Sequence, residues 1–188
     1  MDVTEFVLAE LPPPPSRVLE VGCGRGELAG GLAAAGYDVL GIDPDPPAGP
    51  GFRKTTIEDF DGPGPYDAVV ASRSLHHVSD LAVALDKVAA LLRSGGAFVL
   101  DEFGWECLDA RSAEEVGIDL GEWRREHKDL QTAAAMLDEL GLRFEPRSLS
   151  WEPYLYREAR QVVSEERERE LIELGRLAPT GFRYVGVR

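Results

Sequence analysis

Glu20, the alternating glycines Gly22, Gly24 and Gly26, and Asp43 form a pattern that can hold a polar ligand. Val18-Leu19-Glu20-Val21 reads as a buried strand. It runs into Gly22-Cys23-Gly24-Arg25-Gly26, with glycine at every second position, and Glu27 to Ala35 follows with a helical pattern. A second strand, Asp38 to Ile42, ends in Asp43. Glycines at such a turn admit positive φ and let a ligand approach the backbone closely. The helix behind them turns its unpaired N–H groups toward the same spot. An acid at the tip of the next strand is placed to accept the two hydroxyls of a ribose. The unit is a nucleoside site at the carboxyl edge of a parallel sheet.

Spacing decides which nucleoside. A dinucleotide fingerprint counted from Gly22 needs its third glycine at position 27, where this chain has Glu27. Glu20 beside the loop would repel a pyrophosphate and suits a ligand that carries an ammonium group. The acid-x-G-x-G-x-G segment resembles the first motif of class I S-adenosylmethionine-dependent methyltransferases, of the small-molecule, type 11-like kind. The resemblance implies S-adenosyl-L-methionine as cofactor and S-adenosyl-L-homocysteine as product. It places the methionine moiety on Glu20, Gly22, Cys23, Gly24 and Gly26, and the ribose on Asp43 next to Pro44. Adenine falls to Ile57-Glu58-Asp59-Phe60, where the family uses a backbone N–H and an acid. The usual acid position is Thr56 here, so Glu58 or Asp59 must substitute, or a water does.

Ala71-Ser72-Arg73-Ser74-Leu75-His76-His77-Val78 follows the fourth strand and resembles the family segment that runs beside the methyl donor, which brings Ser72 to the cofactor. Transfer from a sulfonium is an in-line displacement, so a general base is needed only where the nucleophile must lose a proton. Histidine is the usual choice near neutral pH. His76 and His77 point in different directions, so one is expected to pack and the other to face the cleft. His127 lies in an insert at about 103–130, which in the family often builds the acceptor lid. The candidate bases are therefore His127, slightly preferred, and His77. The aromatics Phe103, Trp105, Trp123, Trp151, Tyr154 and Tyr156 read individually as core and, as a set, as the wall for a compact aromatic or heterocyclic acceptor. Arg73 is unusual beside an activated cation: it can pair with Asp101 or Glu102, or hold a substrate carboxylate.

The elements that must position these residues alternate strand and helix. After the loop 44–51, rich in proline and glycine, come a short strand at Phe52 to Thr55, a buried strand at Tyr66 to Ala71 and a helix at Asp80 to Leu92. Arg93-Ser94-Gly95-Gly96 reads as its cap, before a strand at Ala97 to Leu100. Helices are expected over Val3 to Leu11, Ser112 to Arg125 with Ser112 as N-cap, Thr132 to Leu140, and Glu158 to Leu174. The Glu165 to Glu170 run reads as a solvated helix face. Leu142 to Leu149 and Phe182 to Val187 are expected strands. The fold class is α/β: a Rossmann-like doubly wound sheet, mostly parallel, closed by antiparallel C-terminal strands, in one domain spanning 1–188.

With 34 acidic and 20 basic residues the 188-residue chain carries a formal charge of −14, which argues against nucleic acid and anionic membrane surfaces as partners. The two cysteines, Cys23 and Cys107, form no framework, and no Cys/His cluster has metal-ligand spacing. No apolar run approaches a membrane span and no secretory pattern opens the sequence, so a cytoplasmic monomer or homodimer acting on a small-molecule acceptor is expected. The expected activity is methyl transfer from S-adenosylmethionine to O or N of that acceptor. The alternatives are a non-catalytic S-adenosylmethionine-binding module and a nicotinamide-dependent oxidoreductase.

Overall fold

Alternating apolar runs assemble a seven-stranded sheet in a computed structural model that describes residues 2–188. The strands are β1 (Arg17–Val21), β2 (Asp38–Asp43), β3 (Phe52–Lys54), β4 (Tyr66–Ser72), β5 (Leu92–Phe103), β6 (Glu145–Glu152) and β7 (Gly181–Val187). Their spatial order is β3-β2-β1-β4-β5-β7-β6. The first five run parallel; β7 is antiparallel to both β5 and β6. This is the expected doubly wound sheet with an antiparallel close. The central strands are buried on both faces, which is why β1 and β4 carry consecutive buried residues, Val18 to Val21 and Ala68 to Ala71, rather than alternating ones.

Helices α1 (Val3–Glu10), α2 (Glu27–Ala34) and α3 (Leu81–Leu91) belong to the first half, and α4 (Ala110–Val116), α5 (Leu120–His127), α6 (Ala133–Gly141), α7 (Leu155–Glu158) and α8 (Glu165–Glu173) to the second. Alternation along β1 divides the core. Leu19 and Val21 join α3 and α6 side chains on one face; Val18 joins Phe6, Val7, Leu28 and Leu32 from α1 and α2 on the other. Glu20 shares Val18's face and so lies under α1 and α2. A third apolar cluster forms away from the sheet centre, where Phe103, Leu108 and Trp123 meet Tyr154, Leu155, Val163, Leu171 and Leu177.

Several expected boundaries are corrected. Residues 93–96 do not cap α3: β5 begins at Leu92, and Gly95 and Gly96 exchange backbone hydrogen bonds with Arg188. The helix expected over 112–125 is two, because Gly117 adopts φ 74 and stops α4, after which Asp119 caps α5. Asp109, not Ser112, is the N-cap of α4; Ser112 is buried, and its Oγ accepts from the Ala178 N–H at 2.9 Å. β6 lies three residues later than the Leu142 to Leu149 reading.

The largest departure is the C-terminal helix. It splits into α7 and α8. Glu168, read as part of a solvated face, has no exposed surface. Its carboxylate accepts from the N–H groups of Tyr154 (2.8 Å), Leu155 (2.9 Å) and Tyr156 (2.7 Å). These donors open the four-residue α7, which has no side-chain cap of its own. Burial pushes the Glu168 pKa up while the three N–H groups pull it down. Replacing it with alanine orphans three donors in a closed environment, each worth about 1–3 kcal/mol. Glu168→Ala is expected to lose about 3 kcal/mol of unfolding free energy or more in a urea titration, and Glu168→Gln distinctly less.

Candidate active site

A cleft of about 930 Å³ opens at the carboxyl ends of β1, β2 and β4. The strand order reverses between β1 and β4, so the crossovers on either side leave toward opposite faces and a gap is inherent there. Of the sequence-derived candidates, Glu20, Gly22, Cys23, Gly24, Asp43, Pro44, Ile57, Glu58, Ser72 and His77 line this cleft.

The glycine loop is folded by its neighbours. Gly22 and Cys23 both donate to the Ile42 carbonyl, at 2.8 and 3.0 Å, which ties the loop to β2. Gly22 has φ 73, and a Cβ there would stand 2.2 Å from Ser74 Cβ. A Cβ at Gly26 would strike the Phe52 ring at 2.5 Å, so Gly26 packs below the cleft rather than lining it. Gly24 differs: its φ is 49 and a Cβ would meet nothing within 4 Å. The space over Gly24 is open, and the first turn of α2 begins beside it with no side-chain cap on its N–H groups.

Two acids flank that space. Asp43 Oδ2 accepts from Gly24 N at 2.9 Å and Oδ1 from Asp45 N at 2.8 Å, which fixes the carboxylate and leaves lone pairs on both oxygens. Glu20 is buried, and its Oε2 has no hydrogen-bond partner among the described residues. Burial pushes its pKa up to about 7, the Ala29 N–H opposes this, and Asp43 adds to the rise. The Cys23 thiol is pushed up to about 12 by burial and by the charges of Glu20 and Asp43, which disfavours the thiolate. At the far end of the cleft Ile57 is buried, and Glu58 Oε1 accepts from Ser79 N at 3.3 Å and Ser79 Oγ at 3.2 Å. Glu58 lines the cleft; Asp59 does not, and pairs with Thr56 Oγ1 instead.

The opposite wall begins at the end of β4. Arg73 adopts φ 55, a left-handed conformation uncommon for a residue with a Cβ, and its N–H donates to the Asp101 carbonyl at 2.8 Å. His76 and His77 follow in a single 3-10 turn, Leu75–His77. His76 is buried and its Nδ1–H donates to Glu102 Oε2 at 2.6 Å. His77 is exposed to the cleft. Its pKa is lowered, first by desolvation and then by His76, against opposing contributions from Glu102 and Glu158. The sequence left three partners open for Arg73, and two are taken. Asp101 pairs with Arg183 at 2.9 Å, and Glu102 is bound by His76 and backbone N–H groups.

The insert does not form the acceptor wall. Among the described residues, none between 104 and 153 lines the cleft; Tyr154 and Glu158, from the β6–α7 corner, do so, together with Val3 and Thr4 of α1. His127 is accordingly not brought to the cleft. Its Nδ1–H donates to the Trp123 carbonyl at 2.8 Å, and its ring packs among Trp123, Trp105 and Phe103. Phe103 and Trp123 are core, as each aromatic singly was read to be, whereas Tyr154 is both core and cleft, stacked on Phe103 at 4.7 Å. The sequence signal for Tyr154 was its place in the aromatic set; Glu158 gave none. Among the described residues no group of three or more His, Cys, Asp and Glu side chains is placed to hold a metal ion, and no helix is long and apolar enough to cross a membrane.

The fold has known counterparts. The solved S-adenosylmethionine-dependent methyltransferase from Mesorhizobium loti matches with a TM-score of 0.68 at 20% identity, over 98% of this chain and 96% of that one. The geranyl diphosphate C-methyltransferase of Streptomyces coelicolor A3(2), solved with Mg2+, geranyl-S-thiolodiphosphate and S-adenosyl-L-homocysteine, matches with a TM-score of 0.69 at 15% identity, over 98% and 74%. The ubiquinone biosynthesis O-methyltransferase of Xanthomonas axonopodis pv. citri is 30% identical over 80% of this chain and 72% of that protein. In other curated relatives of the same name the chain spans less than half of the relative's length, from 36% to 46%. A family model described as a methyltransferase domain matches residues 1–175, and with it the chain belongs to the methyltransferase-domain family.

Proposed function

We propose that this chain transfers the methyl group of S-adenosylmethionine to an oxygen or nitrogen of a small-molecule acceptor. The observation that carries the reading is the unpartnered, buried Oε2 of Glu20 beside the open space over Gly24. A buried carboxylate oxygen without a donor is costly, and an ammonium group of the ligand supplies the donor. Asp43 then takes the ribose hydroxyls, the uncapped N–H groups of α2 face the ligand, and Ile57 and Glu58 border the adenine. The name of the Xanthomonas relative favours an oxygen acceptor. Cytoplasmic action on a small molecule, as monomer or homodimer, fits the acidic chain, which is ill suited to nucleic acid.

S-adenosylmethionine supplies an already activated methyl on its sulfonium, so the protein has to align the acceptor, exclude water and take up a proton. α1 covers the cofactor end through Val3 and Thr4, and Tyr154 closes the acceptor end. His76 is held by Glu102 and positions the turn. His77 faces the cleft, and its lowered pKa leaves the imidazole neutral at pH 7, ready to receive the acceptor proton on a ring nitrogen. His77 therefore replaces His127 as the preferred base.

Calorimetry is expected to show binding of S-adenosylhomocysteine and none of NAD; the reverse would overturn the reading. Asp43→Ala removes hydrogen bonds to a charged acceptor, worth about 1.5–3 kcal/mol each, so affinity should fall about tenfold or more.

The Glu20 shift has a sign. An unfolded glutamate ionises near 4.5 and the folded one near 7, so the folded state holds the extra proton between these values. This group's contribution to apo stability is greatest below pH 4.5 and falls as pH rises through 7. A ligand ammonium binds the ionised form. Affinity for S-adenosylhomocysteine should therefore rise about tenfold or more from pH 5.5 to 8, and Glu20→Gln should flatten that rise.

His77→Ala should lower kcat by about a hundredfold with cofactor affinity unchanged, while His127→Ala acts on thermal stability alone. The acid limb of kcat/KM should lie below 6.5, the ordinary histidine value. Glu158→Gln should move it lower still, because Glu158 favours the imidazolium. Full activity of His77→Ala across the pH range would remove the base and leave the cofactor site standing.

A further inference from the structure

We propose that Arg73 is the specificity-determining residue of the acceptor site and receives a carboxylate of the acceptor, an inference that rests on the methyl-transfer reading of the cleft. Two arginines line the cleft. Arg25 is paired with Glu27 at 3.2 Å. Arg73 makes no ion pair among the described residues. The two acids beside it on β5 are committed elsewhere: Asp101 to Arg183, and Glu102 to His76 and the N–H groups of Ser74, Leu75 and Phe103.

The backbone is arranged to present this side chain. Arg73 is the one non-glycine residue with positive φ among the described residues. Two hydrogen bonds hold it there, from its own N–H to the Asp101 carbonyl and from Ser74 N to Glu102 Oε1 at 2.7 Å. A strained residue persists only where its surroundings over-determine it, and such residues gather at ligand clamps. The result carries β4 off its line and sets a guanidinium on the cleft wall between Ser72, which borders the cofactor end, and the His76–His77 turn.

The Arg73 fork has room for one carboxylate. Tyr154 lies within reach of the Arg73 charge, and Arg157 sits over the Tyr154 and Tyr156 rings at 5.8 and 5.0 Å, itself in no ion pair among the described residues. Glu158 is the opposing carboxylate on this wall. Glu102 is the second carboxylate felt here, but it is already held by His76 and three N–H groups, so the Arg73 guanidinium stands without a committed carboxylate next to the place where a sulfonium is to bind. Like charges in a partly desolvated cleft repel. An acceptor carboxylate on Arg73 removes that repulsion, and the planar guanidinium fork matches it in two parallel hydrogen bonds. The anchored acceptor then presents its nucleophile toward His77 and Glu158. The cleft thus discriminates between an acid and its neutral isostere by leaving Arg73 unpaired in the second case.

The test uses protein saturated with S-adenosylhomocysteine, titrated at physiological salt with 4-hydroxybenzoate, with neutral 4-hydroxybenzamide and with 4-hydroxyphenyl phosphate, and read by ligand-observed NMR. The acid is expected to bind about tenfold tighter than the amide, the typical advantage of a charge-assisted bidentate pair. Arg73→Gln should abolish that advantage, and Arg73→Lys should keep part of it. Both variants should bind S-adenosylhomocysteine as the unaltered protein does, which shows that they are folded. Acid and amide binding equally, neither binding, or an acid advantage that survives in Arg73→Gln would each overturn the inference. Tighter binding of the phosphate than of the acid would overturn the carboxylate assignment. Failure of the unaltered protein to bind S-adenosylhomocysteine at all would instead overturn the methyl-transfer reading beneath it.

Discussion

Four N–H groups converge on the carboxylate of Glu102, and the acceptor side of the cleft depends on that convergence. Ser74 N, Leu75 N, Phe103 N and His76 Nδ1 lie 2.7, 2.6, 2.8 and 2.6 Å from its oxygens, and the side chain is closed to solvent. A buried carboxylate is tolerable only where donors replace its water, and here the donors belong to two different segments. One is β5 itself; the other is the turn that leaves β4. Glu102 therefore clamps that turn to the neighbouring strand. The left-handed Arg73, the oriented His76 ring and the cleft-facing His77 all follow from the clamp, and so does the contact of Ser74 with Gly22 that seats the glycine loop. One interaction thus sets the separation between the cofactor end and the acceptor end.

How much of this could be read from the sequence follows from how each half is built. The cofactor half is local. Glu20, the three glycines and Asp43 belong to one strand–loop–helix–strand unit, and their roles rest on backbone geometry that glycine spacing announces. Its fine structure was legible only in part: Gly22 and Gly26 are required by Ser74 and Phe52, which lie elsewhere in the chain, and only Gly24 borders open space. The acceptor half is not local. Tyr154 and Glu158 reach the cleft because β6 runs antiparallel to β7 and delivers the chain to the β4 turn, a consequence of topology rather than of any motif. His127 misled for the opposite reason. The resemblance put its insert at the acceptor lid, yet the Trp123 carbonyl one helical turn earlier accepts its N–H and the ring lies in an aromatic cluster. Glu168 shows the limit of periodicity. Alternating glutamate and arginine gives no sign that three N–H groups at the start of another helix need that one carboxylate.

Charge is distributed in the cleft with the same economy. The chain carries a formal −14, but beyond roughly 8 Å that field is screened at physiological salt, so local groups decide what binds. Glu20, Asp43 and Glu58 make one end of the cleft acidic, which under the proposed reading suits a ligand with an ammonium and a sulfonium. Arg73 adds a positive group at the other end, the acceptor end of the proposed reading. The two ends are therefore complementary to different partners, which keeps either from occupying the other's place.

Burial rather than charge sets the proton chemistry. Desolvation is the largest influence on both Glu20 and His77, and it acts in opposite directions on an acid and a base. In Glu20 it raises the pKa to about 7, so that a bound cation would favour the ionised form. In His77 it lowers the pKa and keeps the imidazole neutral without a dedicated partner, while Glu158 and Glu102 hold the drop in check. A sulfonium needs no acid to leave, so a site of this kind has only one proton to move, away from the acceptor. On the proposed reading that proton goes to His77, a histidine of lowered pKa on a clamped turn. The remaining chemistry is alignment, which the rigid sheet edge supplies through β1 and β4. The fold hosts many reactions, so what this cleft does turns on its own lining, and at this end that is the short wall of Arg73, His77, Tyr154 and Glu158.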